Sequence, residues 1–109
     1  MKAKQLHDLA LLSLEDMKAQ NVVSMNISKM STIADFMLVV TATSNRHARS
    51  LADELVKRCK QAHVRVSMEG EETAEWILID LGDVIVHVML AATRKLYDLE
   101  SLWKFAPAE

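Results

Sequence analysis

Trp76-Ile77-Leu78-Ile79-Asp80-Leu81-Gly82-Asp83-Val84-Ile85-Val86-His87-Val88-Met89 is the stretch whose reading decides the fold. Two apolar runs flank a Gly-Asp pair, and Gly supplies the positive φ that two-residue hairpin turns require. A two-residue loop sets the register: Leu81 faces Val84, Ile79 faces Val86 and Ile77 faces Val88. Those six aliphatic side chains share one side, which must be core. The other side carries Trp76, Leu78, Asp80, Ile85, His87 and Met89. Desolvating its carboxylate and imidazole is costly unless they are paired. Either His87 pairs with Asp80 beneath a C-terminal helix, or the face stays half exposed and a partner covers it. An aromatic ring and a thioether beside a few polar groups resemble the centre of a protein–protein interface, which favours the second arrangement.

Upstream, Phe36-Met-Leu-Val-Val-Thr-Ala42 is a continuous apolar run with β-branched members, the pattern of a central strand covered on both faces. Thr43-Ser44-Asn45 follows it, with short oxygen-bearing side chains suited to open a helix. Ala48, Leu51, Ala52, Leu55, Val56, Cys59 and Ala62 then fall on one helical face, and Arg49, Asp53 and Lys57 lie at four-residue steps on the outer one. Farther out, Leu6, Leu9, Ala10, Leu14 and Met17 mark an amphipathic helix over residues 3–20, with Leu11 and Leu12 widening its apolar stripe. Residues 22–27 alternate as a half-exposed strand, and Val64, Val66 and Met68 suggest another. Beyond the hairpin, residues 91–97 can form a short helix, Asp98 can cap a further turn through Leu99, Leu102 and Trp103, and Pro107 ends the ordered chain. Strands interleaved with helices predict an α/β domain: a mixed sheet of about five strands with helices packed on it.

The chain has 109 residues, half of them apolar, which suits one domain over 1–109 with an ordered core from about residue 3 to 104. Apolar runs fall far short of the roughly 20 residues that cross a bilayer, and the charged start lacks the apolar core of a secretory signal. No membrane association and a cytoplasmic location are expected. The single Cys59 cannot close an internal disulfide and reads as a buried thiol. Net charge is −2 but uneven: residues 1–68 hold ten Lys and Arg against six Asp and Glu, whereas residues 69–109 hold three against nine. Such a chain is a poor generic nucleic-acid binder, and its acidic second half suits a basic protein surface.

Catalytic groupings are weak. Ser44, His47 and Asp53 could supply a nucleophile, base and acid, but they lie on one cap and helix without an oxyanion-hole loop. His7, His47, His63 and His87 are scattered without metal-ligand spacing. Asp80 and Asp83 could hold magnesium in a metal-dependent nucleotidyltransferase-like enzyme, the main enzymatic alternative. That chemistry needs a Gly-Ser loop, and no Gly-Ser occurs. Arg46, Arg49, Lys57, Arg58, Lys60 and Arg65 along the long helix read as a solvated face. No catalytic residue, cofactor or metal is expected.

The segments Ala34-Asp35-Phe36, Thr41-Ala42-Thr43-Ser44-Asn45-Arg46-His47, Glu69-Gly70, the hairpin, and Tyr97-Asp98-Leu99-Glu100-Ser101-Leu102-Trp103 resemble, in order and spacing, the ribosomal silencing factor (Iojap) family. Ala42 and His63 stand where that pattern leads one to expect glycine, His63 at a helix C-terminus. The resemblance implies a nucleotidyltransferase-like sheet without enzymatic activity. It also implies docking on ribosomal protein number fourteen of the large subunit, steric blocking of subunit joining, and lowered translation when nutrients are short, as in stationary phase. Trp76, Leu78, Ile85 and Met89 are then the expected apolar contacts. Asp80, His87, Glu75 and Asp98 are the groups expected to meet a basic partner. A minor contact with ribosomal RNA and a homodimer are both compatible with the sequence, the latter through the broad first helix and the mixed hairpin face.

Overall fold

In the computed structural model the described residues are 1–102, with Leu102 described by its backbone alone. The expected positions Trp103 and Pro107, and the side chain of Leu102, lie outside them. The elements run α1 (Ala3–Asp16), β1 (Gln20–Asn26), β2 (Phe36–Ala42), α2 (Asn45–Gln61), β3 (Ser67–Glu69), β4 (Trp76–Asp80), β5 (Val84–Leu90), α3 (Ala91–Tyr97) and α4 (Leu99–Leu102). One five-stranded sheet has the order β1-β2-β5-β4-β3. The β2–β5 pair is parallel and the other three pairs are antiparallel.

The hairpin forms in the expected register, Ile77 opposite Val88 and Ile79 opposite Val86, and the Leu81 amide donates to the Val84 carbonyl at 2.9 Å. Ile77, Ile79, Val84, Val86 and Val88 are fully buried, and Leu81 nearly so. They join Leu6, Ala10 and Leu14 of α1 and Ala48, Leu51, Ala52, Leu55 and Cys59 of α2 in the main core. Period-2 burial along β4, continued by the inward-facing Val84, Val86 and Val88 of β5, thus meets period-3.6 burial along two helices, and that match closes one side of the sheet. All seven residues of β2 are buried, as a strand covered on both faces should be. Burial also pushes the Cys59 thiol up to about 11, which keeps it un-ionised at neutral pH.

Two ends differ from expectation. The first helix stops at Asp16 instead of reaching residue 20, because Lys18 adopts a left-handed backbone (φ 64°) and the Ala19 amide donates to the Leu14 carbonyl at 2.9 Å. Nothing in the side-chain pattern marks that reversal, since lysine is not a usual residue there. The strand expected around Val64, Val66 and Met68 shrinks to Ser67–Glu69 at the sheet edge. His63 is left-handed (φ 59°) just past α2, a conformation in which glycine is unstrained. At the other end of α2 the Ser44 hydroxyl accepts the His47 amide at 3.0 Å, the expected cap.

Candidate partner-docking face

The second side of the sheet is built differently. Met25, Ile27, Ala34, Met37, Val39 and Met89 form a smaller buried cluster, with Val23, Trp76, Ile85 and Leu99 only partly covered at its margin. Short helices and the loop before β2 are the only material there among the described residues, so the β4 side stays open. Burial along the mixed hairpin side is therefore graded. Met89 is fully buried and His87 is 8% exposed, whereas Trp76, Leu78 and Ile85 are half-buried and Asp80 is exposed. Met89, expected among the apolar contacts, lies beneath this face in the free chain and not on its surface. Glu75 and Asp98 are exposed.

Asp80 and His87 do not pair with each other, the first of the two arrangements the sequence allows. Asp80 Oδ1 accepts the Gly82 amide at 2.8 Å, closing the hairpin turn on its own strand. His87 is bonded elsewhere: Trp76 Nε1 donates to His87 Nδ1 at 3.0 Å, the two rings lying 5.9 Å apart. Burial pushes the His87 pKa down to about 4, so the ring is neutral at pH 7 and Nδ1 is free to accept. His87 therefore carries no charge toward a partner. The charge on this side comes from carboxylates.

Tyr97 is not among the contacts expected from the sequence, yet its ring packs against Trp76 at 4.8 Å and is 54% exposed, with Leu96 beside it at 76%. Thr73, Glu75, Trp76, Thr93, Leu96 and Tyr97 line a groove of about 280 Å³. A second groove, about 250 Å³, lies between Glu69, Gly70, Trp76 and Leu78, so Trp76 is the wall common to both. A larger hollow of about 420 Å³ opens elsewhere, between Met17, Lys18 and the start of α2, but its Ser44 is the helix cap and both ring nitrogens of its His47 are engaged.

Side chains far away in sequence hold these walls. Arg94 of α3 is nearly buried and donates to the Asn21 carbonyl at 2.5 Å, the Thr41 hydroxyl at 2.9 Å and Glu100 Oε1 at 2.8 Å, fastening the helix that carries Leu96 and Tyr97 to β1 and β2. Such charge-assisted bonds are short and directional. Arg49, expected to lie on a solvated helix face, reaches across to the Glu71 and Glu72 carbonyls at 3.0 and 2.6 Å. Asn45 Nδ2 donates to the Thr73 carbonyl at 2.7 Å. The acidic stretch 69–75 is thereby pinned; Glu69, Glu71, Glu72 and Glu75 are exposed, and Glu69 and Glu75 line the two grooves beside Trp76. Gly70 (φ +91°) makes this possible, because a Cβ there would sit 2.1 Å from the Trp76 carbonyl oxygen.

Ser44 and His47, grouped with Asp53 in the sequence, both make structural hydrogen bonds. His47 Nδ1 accepts the Thr43 amide at 2.9 Å and Nε2 donates to the Met17 carbonyl at 2.8 Å, so the ring is not aimed at the Ser44 hydroxyl. The buried His7 lies 2.6 Å from the Ser24 hydroxyl and 2.9 Å from Asp8 Oδ1, tying α1 to β1, with Phe36 packed on its ring at 4.8 Å. Among the described residues, no three His, Cys, Asp or Glu side chains are grouped to hold a metal ion, and no helix is long and apolar enough to cross a membrane.

A family model described as "Ribosomal silencing factor during starvation" matches residues 1–109. The chain belongs to the ribosomal silencing factor family. Relatives named "Ribosomal silencing factor RsfS" from Chromobacterium violaceum and Halalkalibacterium halodurans are each 41% identical, over 94% and 98% of this chain and 85% and 92% of their own lengths. A mouse protein named "Mitochondrial assembly of ribosomal large subunit protein 1" is 29% identical over 88% of this chain and 44% of its own length. A crystal structure from Chromobacterium violaceum, 40% identical, superposes with a TM-score of 0.93 over 95% of this chain and 88% of that one. Another, from Bacillus halodurans at 37% identity, gives 0.87 over 97% of each. The α/β fold of the silencing factors is thus the fold of this chain.

Proposed function

We propose that this silencing factor docks on the large ribosomal subunit through ribosomal protein number fourteen and, by its bulk, prevents the small subunit from joining, so that translation is repressed when nutrients are short. The observation that carries the proposal is the match of the family model along the whole chain. The name of the mouse relative ties that protein to the large ribosomal subunit. The geometry adds a surface suited to docking, a half-buried Trp76 between two grooves, flanked by Glu69 and Glu75 at the ends of a pinned loop. Trp76, Leu78 and Ile85 supply apolar contact, while Glu75, Asp80 and Asp98 meet basic groups of the ribosomal protein. A desolvated aromatic anchor with a charged rim is the usual anatomy of an interface hot spot.

Occlusion needs no chemistry. A folded body held where another must dock raises the free energy of joining by RT ln(1 + c/Kd), c being its free concentration, so affinity, concentration and placement are what matter. Light scattering from purified subunits reads the effect directly. Stoichiometric protein added to large subunits should lower the joined fraction, and Asp80→Lys, which reverses a charge facing a basic partner, should restore it. Undiminished joining in the presence of bound wild-type protein would contradict the occlusion mechanism.

A further inference from the structure

We infer that His87 is a positioning residue for the docking face: by accepting the indole N–H of Trp76 it fixes that ring so that Trp76 meets its partner with its ring surface and not with its N–H. This rests on the reading of Trp76 as a contact residue and adds what holds it in place. Trp76 opens β4 opposite Met89, and His87 lies two residues earlier on β5 opposite Leu78, so the two are diagonal neighbours on the open side of the hairpin. Diagonal pairs in an antiparallel ladder are within reach of long side chains. The reach is used: Nε1 to Nδ1 is 3.0 Å, with the rings inclined at 48°.

The direction of that bond is chemically determined. An indole nitrogen can only donate, so His87 Nδ1 must accept and the ring proton sits on Nε2. Acceptance needs a neutral imidazole, which near-complete burial supplies. The indole also rests against Tyr97 at 4.8 Å, on a helix fastened by Arg94. A Trp side chain has two torsions, and here a hydrogen bond and a ring contact restrain them before any partner arrives. Restraint of an anchor in its bound orientation raises affinity by reducing the ordering cost of association. The N–H that interface tryptophans often offer to a partner is already occupied.

The test uses the full chain labelled with ¹⁵N, with Trp103→Phe leaving one indole signal. The scalar coupling between Trp76 Nε1 and His87 Nδ1 is measured together with exchange of the indole proton. Affinity for isolated ribosomal protein number fourteen is then measured for wild type, His87→Leu, His87→Asn and Trp76→Ala. Expected are a resolved coupling, a protected indole proton, and about a 3- to 10-fold loss of affinity with faster exchange in His87→Leu. His87→Asn, whose side-chain oxygen can occupy the acceptor position, should recover most of both. A freely exchanging indole without coupling in the wild type overturns the inference, and that measurement stands even if His87→Leu does not fold. So does a folded His87→Leu that binds as wild type while Trp76→Ala does not. Unchanged binding by Trp76→Ala removes the docking reading instead, and the coupling still decides whether His87 holds the ring.

Discussion

The two sides of the β4–β5 hairpin come from the same fourteen residues and meet different fates. On one side six aliphatic side chains, none more than 4% exposed, lie against two helices of 14 and 17 residues. On the other, helices of seven and four residues leave a gradient from fully buried Met89 to exposed Asp80. Alternation in a strand decides which residues share a side, but the length and anchoring of the covering elements decide how far that side is closed. A surface can therefore be apolar enough to bind and still be held rigidly by the core behind it.

The contrast breaks most sharply under truncation. Ile79→Ala opens a cavity in the closed side and should cost about 2–5 kcal/mol, read by urea unfolding. Leu78→Ala, one residue away on the open side, belongs at the small end of the scale, about 1 kcal/mol or less. Equal losses would mean the two sides are equally packed. Between these lies His87. Its folded pKa of about 4 is below the ordinary 6.5, so the unfolded chain takes up a proton that the folded chain refuses. Stability is then fully present above about pH 6.5 and falls as pH drops toward 4, by up to about 3 kcal/mol for this group. The difference between wild type and His87→Leu across that window isolates it from the carboxylates. Gly70→Ala forces a Cβ onto the Trp76 carbonyl and should cost about 1–3 kcal/mol; Gly82→Ala, with a similar φ but open space around it, should cost less.

The closed side is legible in the sequence because its signals are local and periodic. Register follows from a two-residue turn, the core face of α2 from 3.6-residue spacing, and the helix start from Ser44. The open side is legible only in composition. That Trp76 bonds His87 while Asp80 turns onto Gly82 depends on diagonal geometry, which the alternation of side chains does not rank. Arg94 reaches partners 53 and 73 residues away, and Arg49 partners 22 and 23 away, so neither carries a local signature. Tyr97 ends a helix of seven residues with no buried position, too short to show a periodic face. Lys18 and His63 adopt left-handed backbone without being glycine, and the reversal at Lys18 is why the expected helix overruns the true end of α1.

Calorimetric titration of isolated ribosomal protein number fourteen with wild type and with folded Trp76→Ala tests the open side as a docking face most directly. Loss of an aromatic anchor there should weaken binding by about 2 kcal/mol or more, roughly 30-fold, measured well below the variant's unfolding transition. Equal affinity of the two proteins would contradict the assignment and move the contact to another surface.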